Sequence, residues 1–306
     1  MQHTANIRYI TRKHLNVAAW DDCIQTATNS LIYARSEYLD LVCGEWDALV
    51  YKDYETVFPL VWRKKMGISY LYYPPFCAGL GAFGNDPNKE LVSAFLESIP
   101  RKFRYWDFPL NHGNNYALEP FELTLRTNYI LPLQRDYAQI SSGYRENLVR
   151  NIRKTANLGC TTDIGFPVSA VIKLAKTYTP GSPVEPGAYD RFEQLFTRMM
   201  ARQEAITYGI RARDGNLLAS AAFLFDHHRA YYLLVGNHPD GKTSGASHAL
   251  IDAFIADHAG RAITLDFEGT DIRNLAFFYT GFGATAEYYP AIKHNRLPLP
   301  VKWLKK

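Results

Sequence analysis

The chain has 306 residues, 47% of them hydrophobic and 21% charged, with a formal net charge of +4. That length and apolar content suit one large domain or two ordinary ones with cores of their own, and the mild charge argues against DNA as a principal partner. No apolar run reaches the roughly 18 residues of a membrane span. The opening MQHTANIRYITRKHLN has no signal-peptide core, and Cys23, Cys43, Cys77 and Cys160 are scattered without a pairing pattern, so the sequence predicts reduced thiols in a cytoplasmic protein.

In chain order, IRYITR reads as a strand, followed by a helix from about Asn16 to Cys43 that breaks near Ser30. WDALVYKDYETVFPLVWR is a hairpin turning at Lys52-Asp53. ISYLYY is a third strand and leads into the loop PPFCAGLGAFGND. Asn88 to Ile99 is a helix stopped by Pro100, and FRYWDFPL is another strand. These make a first α/β domain, residues 1–121, that can be a degenerate copy of the second. ELTLRTNYILPL opens the second domain, residues 122–306, and a helix from Tyr137 to Leu158 and the strand CTTDI follow. PGSPVEP, residues 180–186, is a proline-rich loop between two helices. Three antiparallel strands then run through to VGN at 235–237, turning at Asp214-Gly215 and at His227-His228. No fixed-period repeat is present, so similarity between the domains would be structural only.

The stretch from Arg229 to Ala284 is the most informative. A strand ending near Asn237 feeds a glycine-containing turn that opens an amphipathic helix, with Ala246, Ala249, Leu250, Ala253 and Phe254 on one stripe. A strand running straight into a helix N-terminus presents unpaired amides that can hold phosphate oxygens. In the next strand Ile263, Leu265 and Phe267 face one way and Thr264, Asp266 and Glu268 the other. Two carboxylates thus share one face at a strand end. Their charges would repel, and one would hold its proton to higher pH. Glu268, nearer the end and longer, is the candidate general base for an amine nucleophile, with Asp266 beside it. The alternative for each is a solvated strand end or a cap contact near Asp271. The last helix is expected to bury Ile272, Leu275, Ala276 and Tyr279, with Thr270 as N-cap and Gly281 as stop.

Two further groups are candidates for substrate binding. Arg150, Arg153 and Lys154 share one helix face and can hold a diphosphate or a carboxylate; a solvated charged face is the alternative. Tyr73 and Phe76, in the stiff aromatic loop YYPPF, can wall an acceptor pocket or simply cover the core. No H-E-x-x-H, C-x-x-C, G-x-S-x-G or Walker loop occurs, which argues against metal hydrolase, serine hydrolase and P-loop chemistry, and no metal is expected.

The residues Lys242, Thr243, Ser244, Gly245, Ala246 and Ser247 resemble the pyrophosphate loop of GNAT acyltransferases, Gln/Arg-x-x-Gly-x-Gly/Ala, with Lys in the first place and Ser in the last. Asn274, Ala276, Phe278, Tyr279, Gly281 and Phe282 resemble the second GNAT signature with a shortened spacer. LDFEGTDIRNLAFFYTGFGA and the basic NLVRNIRKTANLG are more similar to the FemAB-like branch, double-GNAT proteins related to peptidoglycan-bridge aminoacyl transferases. The resemblance covers residues 122 to 295 well and the first third loosely. It implies two GNAT-like α/β domains, each a mixed, mostly antiparallel sheet flanked by helices, and an N-acyltransferase. The donor would be acetyl-CoA or another acyl-CoA, its pyrophosphate on Gly241, Lys242, Thr243, Ser244, Gly245 and Ala246, with Asn274 contributing and the pantetheine arm along Val235 and Asn237. Tyr279 matches the tyrosine that protonates the leaving thiolate; a buried core tyrosine is the alternative. The acceptor would be a small-molecule or peptide amine. A second reading is Fem-type transfer from aminoacyl-tRNA to a peptidoglycan precursor, against which stand the mild charge and the lack of a sustained heptad between Val168 and Ala205. A third is a binding protein that keeps the fold without the chemistry.

Overall fold

A computed structural model of the protein describes residues 4–178 and 184–298; positions 180–183 of the expected proline-rich loop lie outside the described residues. After β1 (Ile7–Thr11) comes α1 (Val17–Thr26), which starts where the Asn16 side chain accepts a bond from the Ala19 amide. The helix expected to reach Cys43, with a break near Ser30, ends here; a turn over Ile32–Ala34, the short α2 (Ser36–Tyr38) and a wide turn over Leu39–Cys43 follow. The hairpin β2 (Trp46–Tyr51) and β3 (Thr56–Lys65), then β4 (Ile68–Leu71), follow the sequence reading closely; β5 (Phe83–Gly84) is a short strand on β3 inside the expected loop, and α3 (Lys89–Glu97) and β6 (Phe103–Pro109) again follow the reading. Next come β7 (Leu123–Pro132), α4 (Tyr137–Ser141), α5 (Glu146–Asn157), β8 (Thr161–Ile164), α6 (Val168–Tyr178) and α7 (Ala188–Ala201). The chain continues through β9 (Ala205–Arg211), β10 (Leu217–Asp226), β11 (Arg229–Asn237), α8 (Pro239–Ser244), α9 (Ala246–His258), β12 (Thr264–Asp266), α10 (Arg273–Thr280) and β13 (Thr285–Asn295). The single helix expected over 137–158 is broken around Gly143, and the break lets the Arg145 amide bond the Gly281 carbonyl.

The chain divides into two units. Unit 1 is Met1–Arg126 with Tyr288–Lys306, and unit 2 is Thr127–Glu287. The expected second domain runs to the C-terminus, whereas from Tyr288 onward the chain groups with unit 1. The reason is strand pairing: Ala291–Asn295 of β13 lie antiparallel to Pro109–Tyr105 of β6 and cover its edge.

Both units carry the same pattern. In unit 1, β1, β2, β3 and β4 are antiparallel neighbours, β6 lies parallel to β4, and β13 antiparallel to β6. In unit 2, β8, β9, β10 and β11 are antiparallel neighbours, β12 lies parallel to β11, and β7 antiparallel to β12. Each parallel step is crossed by helix, α3 in unit 1 and α8–α9 in unit 2, as parallel pairing requires. The common pattern is invisible as a sequence repeat because it lies in strand order, not in residues.

Unit 1 packs Trp20 against Trp46 (ring centroids 5.0 Å apart) and Phe58 against Phe95 (5.7 Å). Unit 2 is centred on α9, where Phe254 stacks on Phe223 of β10 at 3.8 Å. Of the expected α9 stripe, Ala246, Leu250 and Phe254 are buried, and Ala249 and Ala253 border the core. At the α8–α9 junction Gly245 takes φ +83°, and a Cβ there would meet the Asn151 carbonyl oxygen at 2.6 Å. Only glycine permits both the left-handed turn and this close approach of α5. Gly245→Ala is therefore expected to cost about 1–3 kcal/mol, read as a lowered thermal midpoint. Gly165→Ala, also left-handed but with open space around it, should lose less; equal losses would refute the close-packed junction.

Candidate active site

β11 and β12 pair in parallel only from Arg229 to Tyr231 against Thr264 to Asp266. The Phe267 amide then turns to the Tyr129 carbonyl, while β11 runs on to Asn237 with no β12 partner. Aromatic rings gather beyond the point where pairing stops. Phe267 stacks on Tyr279 at 4.5 Å, Tyr232 meets Phe267 edge-on at 6.0 Å, and Phe282 lies 6.3 Å from Phe267.

The two carboxylates expected on one face are separated. Asp266 is buried and pairs with Arg229, whose Nη1 stands 2.5 Å from Oδ2. The other guanidinium nitrogen reaches Glu287 at 2.6 Å. Burial alone would lower the Arg229 pKa, but the Asp266 and Glu287 carboxylates outweigh it and raise it. Asp266 is thus an ion-pair anchor, and the repulsion expected between it and Glu268 is offset by the cation. Glu268 itself is left-handed at φ +65°, and so is Gly269 at +77°. Those two residues end the strand alternation, so Glu268 no longer follows Asp266. Its charge instead acts on Tyr279: burial first, and the Glu268 carboxylate second, push the Tyr279 phenol well above its ordinary value. Tyr279 therefore stays protonated at neutral pH, beside a carboxylate, in an aromatic surround. A left-handed Glu costs of order 1–3 kcal/mol and persists only where neighbours hold it.

The turn at 241–247 differs from an open glycine loop. Residues 239–244 are helical, the Gly241 and Lys242 amides return to the His238 carbonyl, and the Gly245 amide returns to that of Gly241. Those amides are spent within α8, and Gly241 packs against Leu218, whose carbonyl oxygen would meet an added Cβ at 2.1 Å. Carbonyls at its end are bonded from α5: Lys154 Nζ donates to Thr243 O and Thr155 Oγ1 to Ser244 O, both at 2.8 Å. Lys242 and Thr243 are exposed, while Gly241, Ser244, Gly245 and Ala246 are buried. Val235 borders the core, and Asn237 Oδ1 accepts from Ser247 Oγ at 2.8 Å.

Arg150, Arg153 and Lys154 do share one face, and with Tyr144 and Leu158 they line a groove of about 790 Å³ along α5. Of the expected stripe on α10, Tyr279 is buried and Ala276 is half-buried, but Ile272 and Leu275 are not. Ile272 and Leu275 are 61% and 40% exposed and Asn274 is exposed, because this short helix is anchored at its C-terminal end by Tyr279 and by Gly281 against Arg145. Thr270 is not the expected N-cap: Ile272 holds that place without a side-chain cap, and Thr270 Oγ1 accepts from the Ile272 amide in the turn before the helix. Tyr73 and Phe76 belong to unit 1; Tyr73 is exposed, and Phe76 is left-handed with its carbonyl bonded by the Tyr38 hydroxyl.

Arg229 and Glu287 escape the sequence reading. An arginine opening a buried strand is the signal for the first, but its partners follow only from the register. His248 also escapes it. It sits on the first turn of α9 against Phe278 at 4.7 Å, with Nδ1 buried and unbonded, and burial lowers its pKa. Among the described residues no group of three or more His, Cys, Asp or Glu is set to hold a metal, and no helix is long and apolar enough to cross a membrane.

No protein-family model matches the sequence, and no curated protein does. Solved structures do match in fold. FemX superposes with a TM-score of 0.66 at 13% identity, over 97% of this chain and 99% of FemX. A protein of unknown function from Bacteroides thetaiotaomicron VPI-5482 gives 0.59 at 10%, over 91% and 97%. A tandem GNAT protein from the clavulanic acid biosynthesis pathway gives 0.54 at 10%, over 95% and 99%. The chain shares its fold with FemX and with the tandem GNAT protein, and it is built from two α/β units.

Removing one partner of a buried ion pair strands the other charge. Arg229→Ala is expected to cost about 3–5 kcal/mol of unfolding free energy, whereas Glu268→Gln should change it by less than about 1 kcal/mol. Urea titration followed by far-ultraviolet circular dichroism compares the two; equal losses would show that Glu268 belongs to the anchor.

Proposed function

We propose that unit 2 transfers an acyl group to an amine, with Glu268 as general base and Tyr279 as general acid. One observation carries the reading: a left-handed Glu268 at the point where β11 and β12 stop pairing, acting electrostatically on a buried, protonated Tyr279. The amine nitrogen attacks the acyl carbonyl carbon. The C–N bond forms, the bond to the donor's sulfur breaks, Glu268 takes the proton that the amine loses, and Tyr279 gives its proton to the leaving thiolate. Proton return from Glu268 to Tyr279, directly or through solvent, resets the pair. The donor in this reading is acetyl-CoA or another acyl-CoA, its pantetheine arm beside Val235 and Asn237 on the open side of β11 and its phosphates shared between Lys242 and the basic face of α5. No metal takes part in this scheme.

A second reading, Fem-type transfer from aminoacyl-tRNA to a peptide amine of a peptidoglycan precursor, is favoured by two features. The amides of Gly241, Lys242 and Gly245 are bonded within α8, and the basic groove lies on α5 instead. The leaving group is then a ribose oxygen, and the roles of Glu268 and Tyr279 are unchanged. Calorimetric titration with acetyl-CoA, coenzyme A and charged tRNA separates the donors; heat with none of them, and no turnover with any amine, would leave a non-catalytic binding protein.

Glu268→Gln is expected to lower kcat by roughly 10²- to 10⁴-fold with little change in donor affinity, the loss typical of one general base. Tyr279→Phe keeps the stacked ring and should also lower kcat. Full turnover in Glu268→Gln would end the base assignment and turn attention to His248 or Asp271. Arg150→Ala and Arg153→Ala should each weaken donor binding by roughly tenfold or more, as loss of a charge-assisted contact does, with kcat at saturation unchanged. A lowered kcat at unchanged affinity would remove the α5 groove from donor binding.

A further inference from the structure

The left-handed turn at Glu268-Gly269 is held from one short piece of β7. The Phe267 amide bonds Tyr129 O at 3.0 Å and the Thr270 amide bonds Thr127 O at 2.9 Å. Between them, the Glu268 amide donates to Asp266 Oδ1 at 2.9 Å, and the Gly269 amide donates to Asn128 Oδ1 at 2.6 Å. Four successive amides therefore have fixed acceptors, and one of these is a side chain brought from elsewhere in the sequence. Asn128 is buried, and the other end of its amide is fixed as well, Nδ2 donating to Asp266 Oδ1 at 2.9 Å and to Glu287 Oε2 at 3.3 Å.

We propose that Asn128 is the positioning residue of this site: it joins the Arg229–Asp266–Glu287 ion pairs to the Gly269 amide and so fixes the direction in which Glu268 presents its carboxylate. The proposal rests on the reading of Glu268 as the base. The residue type follows from the two jobs. One end of the side chain must donate to carboxylates and the other must accept an N–H, which a primary amide does without adding charge. An aspartate in its place would keep the acceptor but set a third carboxylate against one arginine. An alanine would leave the Gly269 N–H and two carboxylate oxygens without this partner, and the strain at Glu268 would relax by moving the residue. A misplacement of about 1 Å at a reacting group can cost 10²-fold in rate.

The test uses the full chain with Asn128→Ala, and with Asn128→Asp combined with Asp266→Asn, which exchanges the two side chains while keeping one amide and one carboxylate. Amide hydrogen exchange across 267–270 reads the turn without reference to activity. Asn128→Ala should speed exchange at Gly269 by roughly tenfold or more while β10 amides keep their protection. It should also lower kcat by roughly 10- to 100-fold with the donor KM little changed, and should add little further loss in a Glu268→Gln background. The exchanged pair should restore Gly269 protection and most of kcat. Unchanged protection of Gly269 in Asn128→Ala overturns the proposal, and so does a loss that multiplies fully with that of Glu268→Gln. If Asn128→Ala does not fold, the exchanged pair decides: an unprotected Gly269 at undiminished kcat sinks the idea. If Glu268→Gln alone keeps full turnover, the function reading fails instead, and the exchange data still report whether Asn128 holds the turn.

Discussion

A single buried guanidinium organises unit 2. Arg229 opens β11, Asp266 closes β12, and Glu287 lies on β13, so one cation fixes the ends of three segments far apart in sequence. A buried charge is tolerated only when paired and hydrogen-bonded, and Arg229 meets that demand with two carboxylates in a forked geometry suited to its planar group. Arg229 sits opposite Thr264 in the register, and the two parallel strands run together only as far as Tyr231 and Asp266, the residue Arg229 pairs with. Beyond that point the two part, β11 staying on β10 and Phe267 bonding Tyr129, which releases space between them.

What fills the released space is aromatic. Tyr232 from β11, Phe267 just past β12, Tyr279 from α10 and Phe282 after it pack edge-to-face and in stacks. Such rings exclude water while carrying a few hydroxyls, which keeps a phenol protonated and makes the Glu268 carboxylate felt more strongly than it would be in solvent. The strain at Glu268 fits the same logic. The chain accepts a left-handed residue there because β7 and the Asp266 carboxylate between them bond every amide around it.

The two units reach the same strand order with different connections. In each, four antiparallel strands are followed by one parallel step and one further antiparallel strand. In unit 1 that final strand comes from the C-terminal end of the chain, and in unit 2 from β7, ahead of the rest of the unit. A parallel step forces a helical crossover, and only in unit 2 does the crossover bring a helix junction, α8 to α9, against a basic helix.

Local signals were enough to read most elements from the residues. The hairpin at Lys52-Asp53, the helix from Asn88 and the three strands ending at Asn237 each carry their own turn or cap chemistry, and the stripe around Phe254 announces the face that α9 buries. The three cations of α5 share a face because helical spacing alone requires it. The site depended on more than local spacing. Period two puts Asp266 and Glu268 together, yet a left-handed turn separates them, and no local pattern reveals that turn because Asn128 and Tyr129, distant in sequence, hold it. Likewise α10 has the spacing of a buried helix but stands out at Ile272 and Leu275, since only its last turn meets the core. Sequence thus determined which segments fold and which residue types carry charge. Tertiary structure decided which carboxylate anchors and which acts through its charge on the tyrosine, because that choice is made by partners contributed from three separate strands.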